Sequence, residues 1–457
     1  AGPAASIWSW FGADSAFFGD PNLALALVIF VQIWAGLGIA VVIYLAGLQA
    51  IPEELQEAAS IDGASGGQRM RLITVPLLAP SITANVLLAI VGSLQSYQLA
   101  YVLTGPNNPA TQLLSLAIFA QGFGGSSASG LGPSPGYAAA ISGIPFVIVS
   151  IALVPAPSGG EAVSAVTSTP RTPVTTPAPA APRPRRHRTV RASRIVNYAL
   201  LAVVVLCYPF PLLVLLNTAL KSNAAFFADP VGVVTSPQWG NFAQAWVQGN
   251  FGAYFLNSVV YTVFAAGLGT AIAVVMGFPV GRGCLRFPRL WNALFVVMLF
   301  LPNALITQFQ LLLRIGLYNT YVGYILIMAA AVGIGPLLIS GYVKSLPREL
   351  DEAAAVDGCG YWRYLLTFVI PMAKPAIATV FILQAIGVWN DIILATILLP
   401  DQAKSPISLG LYAFQGTYTN DWGLLAAATM IVAAPLVAAY VFLQRYLVGG
   451  VVGSIKG

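Results

Sequence analysis

Long apolar runs separated by shorter polar ones organise this chain. Nine of them, at 23–48, 80–103, 137–154, 195–216, 254–278, 291–313, 320–343, 376–399 and 423–445, approach or exceed the roughly 20 residues that a helix needs to cross a bilayer. Inside hydrocarbon each backbone N–H and C=O must be paired within its own segment, so runs of this length predict helices. The pattern therefore predicts an all-α integral membrane protein with about nine transmembrane helices. Among the polar connections, 49–79, 155–194 and 344–375 stand out.

Composition narrows the class. Of 457 residues, 58% are apolar and 8% charged, against about 45–50% and about 25% in soluble proteins, and the mean hydropathy is +0.80. A cytosolic globular enzyme, a coiled coil and a disordered chain are excluded as descriptions of the whole. A net charge of +6 and a pI near 9.2 would suggest nucleic acid in a soluble protein. Here the charge is sorted by side. With 49–79 placed in the cytoplasm, 18 of the 21 Lys and Arg residues lie inside, and Lys221, Arg314 and Lys404 lie outside, as retention of basic residues on the cytoplasmic side requires. The basic excess is explained by topology, and no nucleic-acid partner is implied.

The lone histidine, His187, sits in an Arg-rich run, which removes His-based metal sites and a Ser/His/Asp triad from consideration. Cys207, Cys284 and Cys359 show no paired spacing, so neither a disulfide framework nor a thiolate metal site is expected. The chain opens at Ala1 without a basic segment leading into a short apolar run, so its N-terminus reads as cut or processed. The Pro-, Thr-, Ala- and Arg-rich stretch 155–194 cannot bury a core and reads as an extended linker. It separates a three-span piece, 1–154, from a six-span piece, 195–457. Its RPRRHR run could meet anionic lipid, but a solvated positive-inside segment is favoured.

A repeat carries the functional signal. PEELQEAASIDGASGGQRMRLITVPLLAPSI at 52–82 returns as PRELDEAAAVDGCGYWRYLLTFVIPMAKPAI at 347–377, with 11 of 31 positions identical at a constant offset of 295. Six spans separate the copies, an even number, so both face one side as parallel copies, unlike the inverted repeats of many secondary transporters. Pro52 and Pro347 followed by acids suit a helix start, and Gly63 and Gly358 suit the left-handed turn that ends it. Ala58, Ala59, Ala353 and Ala354 permit close approach by another surface; Glu54, Glu57, Asp62, Glu349, Glu352 and Asp357 offer carboxylates to a basic partner. Eight of the chain's 15 acidic residues fall within 52–62 and 347–357.

The pattern EAA, three residues, Gly, then a downstream hydrophobic-Pro pair (Val75-Pro76, Ile370-Pro371) resembles the EAA loop of permease subunits in binding-protein-dependent ABC importers. The six-span piece is similar to the carbohydrate-uptake, maltose-type permeases in NTALKSNAAFFADP at 217–230, NFAQAW at 241–246, YFLNSV at 254–259, Trp389-Asn390-Asp391 and the ending QRYLVGGVVGSIKG. The three-span piece is similar to the C-terminal part of the partner permease, in LTGPNNPATQLLSLAIFAQGF at 103–123 and GYAAAIS at 136–142. It has three spans where about six are expected, and 124–136 reads as an insertion.

The resemblance implies an ABC importer permease fold in a prokaryotic cell membrane, with EAA loops at 52–80 and 347–375 acting as coupling helices. It implies as partners a cytoplasmic ATPase dimer gripping Glu54 to Gly63 and Glu349 to Gly358, an extracytoplasmic solute-binding protein at 104–136, 217–253 and 400–422, and surrounding membrane lipid. No GxxxxGK[ST] phosphate loop occurs, so this chain is not expected to be an enzyme or to bind a cofactor, ATP and Mg belonging to the partner.

Polar groups inside spans mark interiors or pathways. The repeat offset maps Asn390 and Asp391 onto Gln95 and Ser96, with Tyr97 and Gln98 adjacent and Trp389 preceding. Trp389 for stacking, with Asn390, Gln95 and Gln98 for hydrogen bonds, suits a sugar or related polar solute; the competing reading is interhelical hydrogen bonding. The rival functions are an ABC permease for amino acids or peptides and an ion-coupled secondary transporter. The latter would need several ionisable midplane residues, and Asp391 is nearly alone.

Overall fold

The computed structural model describes residues 21–49, 51, 53–94, 96–104, 108–123, 134, 136–138, 140–144, 147, 209–230, 232–300, 304–331, 333–414 and 421–455. Every regular element among them is helical. Phe251–Arg282 and Trp422–Ala439 are each long and apolar enough to cross a membrane, and joining sharply bent helix pairs gives up to five spans. Among the described residues the expected count of nine is thus not confirmed. Of the run 291–313, Pro288–Phe300 and Leu305–Arg314 are helical, and 301–303 lie outside the described residues. The run 320–343 bends by 51° between Tyr321–Ala330 and Gly335–Ser345, ahead of Pro336 in the first turn of the second helix. The linker 155–194 and most of 137–154 and 195–216 lie outside the described residues.

The sequence repeat is a structural repeat at the same offset. Gly66–Arg69, the π-helical Met70–Thr74, Val75–Leu77 and Ala79–Leu94 return as Tyr361–Tyr364, the π-helical Leu365–Val369, Ile370–Met372 and Lys374–Trp389. In each copy the chain turns sharply after the proline, by 70° and 80°, because proline removes a backbone donor and crowds the preceding turn. The π-turns one step before it absorb an extra residue, a common device where a helix must be re-aimed.

The centre of the molecule joins both sequence halves. Tyr97, Ala100 and Leu116 share one buried cluster with Tyr261, Leu305, Tyr324, Val388 and Leu394. Phe119 stacks on Tyr97 with centroids 5.5 Å apart, and Phe123 meets Phe309 edge-on at 5.8 Å. A second cluster gathers Phe251, Trp389 and Phe414 with the helix from Trp422. A third packs Ala273 and Phe278 against Ile339, Val343, Leu365 and Val369.

Candidate functional site

Each repeat presents a short helix ended in the same way. Glu53–Ile61 closes with Gly63 at φ +78°: the Gly63 N–H donates to the Ser60 carbonyl at 3.2 Å, and the Ala64 N–H to the Ala59 carbonyl at 2.9 Å. Glu349–Val356 closes with Gly358 at φ +67°, where the Gly358 N–H donates to Ala355 at 3.1 Å and the Cys359 N–H to Ala354 at 2.8 Å. This paired bonding around a left-handed residue satisfies the last carbonyls of a helix and strongly favours glycine. Pro347 stands outside the second helix, two residues before Glu349, so it leads into the helix and does not occupy the first helical position expected of it.

The faces correspond as well. Ala59 and Ala354 turn inward and are buried. Glu54, Glu57, Ala58, Asp62 and Gly63, and likewise Glu349, Glu352, Ala353, Asp357 and Gly358, are exposed. Sequence reasoning missed the apolar tip: Ile61 and Val356, at equivalent positions, are 86% and 87% exposed. Each knob is therefore an acidic surface around a bare aliphatic residue. The signal was present, since both copies place a β-branched residue just before the Asp-Gly pair.

The attachments of the knobs differ. In the second copy Arg282 Nε lies 3.3 Å from an Asp351 carboxylate oxygen, and its Nη1 donates to the Leu346 carbonyl at 2.9 Å. The Tyr364 hydroxyl donates to the same Asp351 oxygen. Burial pushes the Tyr364 hydroxyl above its ordinary pKa, and the hydrogen bond to Asp351 adds to the shift, so it remains a donor at neutral pH. In the first copy Gln56 stands where Asp351 does and Arg69 where Tyr364 does. Gln56 Nε2 donates to the Thr74 hydroxyl at 3.2 Å, and Ser65 with Gln68 forms a capping box, whereas Gly360 at the matching place provides no side-chain cap.

The expected pathway residues cluster at two equivalent helix breaks. Ala79–Leu94 stops before Ser96 and restarts as Tyr97–Thr104; Lys374–Trp389 stops at Asn390 and restarts as Ile393–Leu398. Gln95 lies outside the described residues. Gln98 and Asn390 are exposed. Tyr97 is buried in the cluster that also holds Val388 and Leu394 of the second half, its ring stacked on Phe119. The Asp391 carboxylate accepts from the Tyr324 hydroxyl at 2.9 Å and from the Ala395 N–H at 2.8 Å. It thus satisfies a free amide in the first turn of the restarted helix, where the dipole favours negative charge. Trp389 is buried; its ring N–H donates to the Val432 carbonyl at 3.1 Å, and its ring meets Phe255 edge-on at 5.9 Å. Ser96 donates to Gln32 at 2.8 Å. Tyr324, which no span-by-span reading singled out, is the partner that fixes Asp391.

An all-helical membrane chain with two parallel knobs beneath two equivalent broken helices has the fold of an ABC importer permease. The chain matches the family "Binding-protein-dependent transport system inner membrane component" over residues 4–156 and 264–452, and it belongs to that family. It is 29% identical over 276 residues to the melibiose/raffinose/stachyose import permease protein MelC of Bacillus subtilis, covering 59% of this chain and all of that one. It is 33% identical over 266 residues to the diacetylchitobiose uptake system permease protein NgcG of Streptomyces coelicolor, covering 56% of this chain and 86% of that one. A bacterial ABC transporter involved in import of the acidic polysaccharide alginate shares the fold, with a TM-score of 0.50 and 24% identity over 58% of this chain and 99% of that one.

Proposed function

We propose that this chain is the membrane permease of an ATP-driven sugar importer, carrying two permease halves, 1–154 and 195–457, joined by the linker 155–194. The observation that carries the reading is the knob built twice at one offset, with matching left-handed glycines, buried second alanines and exposed acids, in a member of this family. The two knobs dock in a cytoplasmic ATPase dimer, which holds ATP and Mg, and a solute-binding protein delivers solute to the opposite face. Sugar is the solute class because the relatives named above import melibiose, raffinose, stachyose and diacetylchitobiose. Exposed Asn390 and Gln98 are the hydrogen-bonding groups offered to it, while Asp391 and Trp389 hold the break in shape. About nine spans in the plasma membrane of a prokaryote complete the picture.

The test is reconstitution of the full chain in vesicles with its ATPase and binding protein. Sugar-loaded binding protein is expected to raise ATP hydrolysis and drive uptake. ATP hydrolysis by the purified chain alone, or a complex indifferent to loaded binding protein, would overturn the reading.

A further inference from the structure

The helix Phe251–Arg282 is bonded by side chains at both ends to loops on opposite faces of the protein. Its 32 residues span about 48 Å at the usual rise per residue. At its C-terminal end Arg282 holds Asp351 inside the second knob helix and the Leu346 carbonyl that leads into it. At its N-terminal end Asn257 donates to the carbonyls of Ala403 at 2.9 Å and Ser405 at 3.0 Å. Ser258 accepts from the Ile407 N–H at 2.7 Å, and Tyr261 donates to the Lys404 carbonyl at 2.7 Å. Loop 401–407 is thereby tied to this helix by three of its side chains.

Toward its C-terminal end the helix lies in close backbone contact with its neighbour. A Cβ on Gly277 would lie 2.7 Å from the Pro336 carbonyl oxygen, and one on Gly281 2.8 Å from that of Ser340. Glycines four apart let two membrane helices approach to backbone contact, and Gly335–Ser345, the helix held this way, leads directly into the second knob. Near the N-terminal end, the Tyr261 ring also packs edge-on against Tyr324 at 4.7 Å, the residue that donates to Asp391.

We infer that Phe251–Arg282 is a rigid strut connecting the second knob to loop 401–407, with Arg282 and Asn257 as the positioning residues at its two ends. Displacement of the knob moves the loop and, through Tyr261 and Tyr324, the broken span at Asp391. This rests on the permease reading above, in which the knob meets the ATPase and the loop faces the binding protein.

A double-mutant cycle in the reconstituted complex tests it, using Arg282→Met, Asn257→Ala and the pair. Sites more than about 10 Å apart that share no partner ordinarily have additive effects. A strut predicts otherwise: each single variant lowers the ratio of stimulated to basal ATP hydrolysis about fivefold, a typical coupling strength, and the pair lowers it no further than the worse single. Tyr261→Phe, which removes only the hydroxyl, replaces Asn257→Ala should that variant fail to insert, and obeys the same rule. Co-purification of the ATPase with each variant separates loss of coupling from loss of assembly. Multiplicative loss, about 25-fold in the pair if the effects are independent, or singles that leave the ratio unchanged, overturns the strut. An unstimulated wild-type complex overturns the permease reading instead.

Discussion

The two knobs share a turn and differ in what holds them. The first is stabilised locally, by the Ser65 and Gln68 capping box and one contact from Gln56 to Thr74. The second lacks that cap and is held by tertiary contacts: Arg282, Asp351 and Tyr364 bond one another, and the apolar side packs beneath the long helix. The same positions record the difference in exposure. Leu365 is 1% exposed and its counterpart Met70 55%; Val343 is 0% exposed and its counterpart Leu48 44%. One motif is thus kept in shape by two routes, and a docking surface needs only that the turn persist.

The largest expected effects are at the glycines. Nothing lies within 4 Å of a Cβ placed on Gly63 or Gly358, so substitution is opposed by backbone conformation alone, at about 1–2 kcal/mol for a left-handed residue. Gly63→Val with Gly358→Val should abolish uptake by cells expressing the complete system. Singly, Gly63→Ala should reduce uptake more than Gly358→Ala, because the second knob retains its tertiary anchor. Equal losses would show that the anchor contributes nothing to the shape of the knob.

Next comes the packing beneath the knobs. Leu365→Ala removes a fully enclosed side chain and should cost about 2–5 kcal/mol, read as a lower thermal midpoint of the purified protein. Met70→Ala, on an open face, should stay within about 0.5 kcal/mol, as surface changes usually do. A comparable drop for both would mean that the first knob is covered as tightly as the second.

Much of this was legible in the residues. Constant spacing of Pro, Glu, Ala-Ala, Gly and Pro specifies a helix, a left-handed stop and a return to the membrane, because each of those residue types has a narrow conformational meaning. The breaks at Ser96 and Asn390 were legible only as polar residues in apolar runs; that they interrupt helices, and that Asp391 caps the restart, depends on Tyr324, 67 residues away in sequence. Trp389 looked like a stacking surface, and its ring is enclosed by Phe255 and the helix carrying Val432. Arg282 read as a topology marker among other basic residues, since no local pattern pairs it with Asp351.

The smallest effect compares the turns that follow the two broken spans. In the first half Asn108 caps Pro109–Thr111, its side-chain oxygen accepting from the Ala110 N–H at 3.0 Å. In the second Asp401 caps Gln402–Lys404, accepting from the Ala403 N–H at 3.0 Å, and its carboxylate lies 3.1 Å from Lys404 Nζ. The hydrogen bond from Lys404, then that from Ala403, holds the Asp401 carboxyl below its ordinary 3.8. A carboxyl with a depressed folded pKa contributes stability that is complete above its unfolded value and is lost as pH falls through the folded one. Protection of the Ala403 amide from hydrogen exchange, corrected for the intrinsic rate, should therefore decline as pH falls below 3.8, while that of Ala110, capped by a neutral amide, should not. Asp401→Asn should give Ala403 the flat profile of Ala110. A decline that survives this substitution would place the titrating group elsewhere, and the contrast between a charged and a neutral cap would be lost.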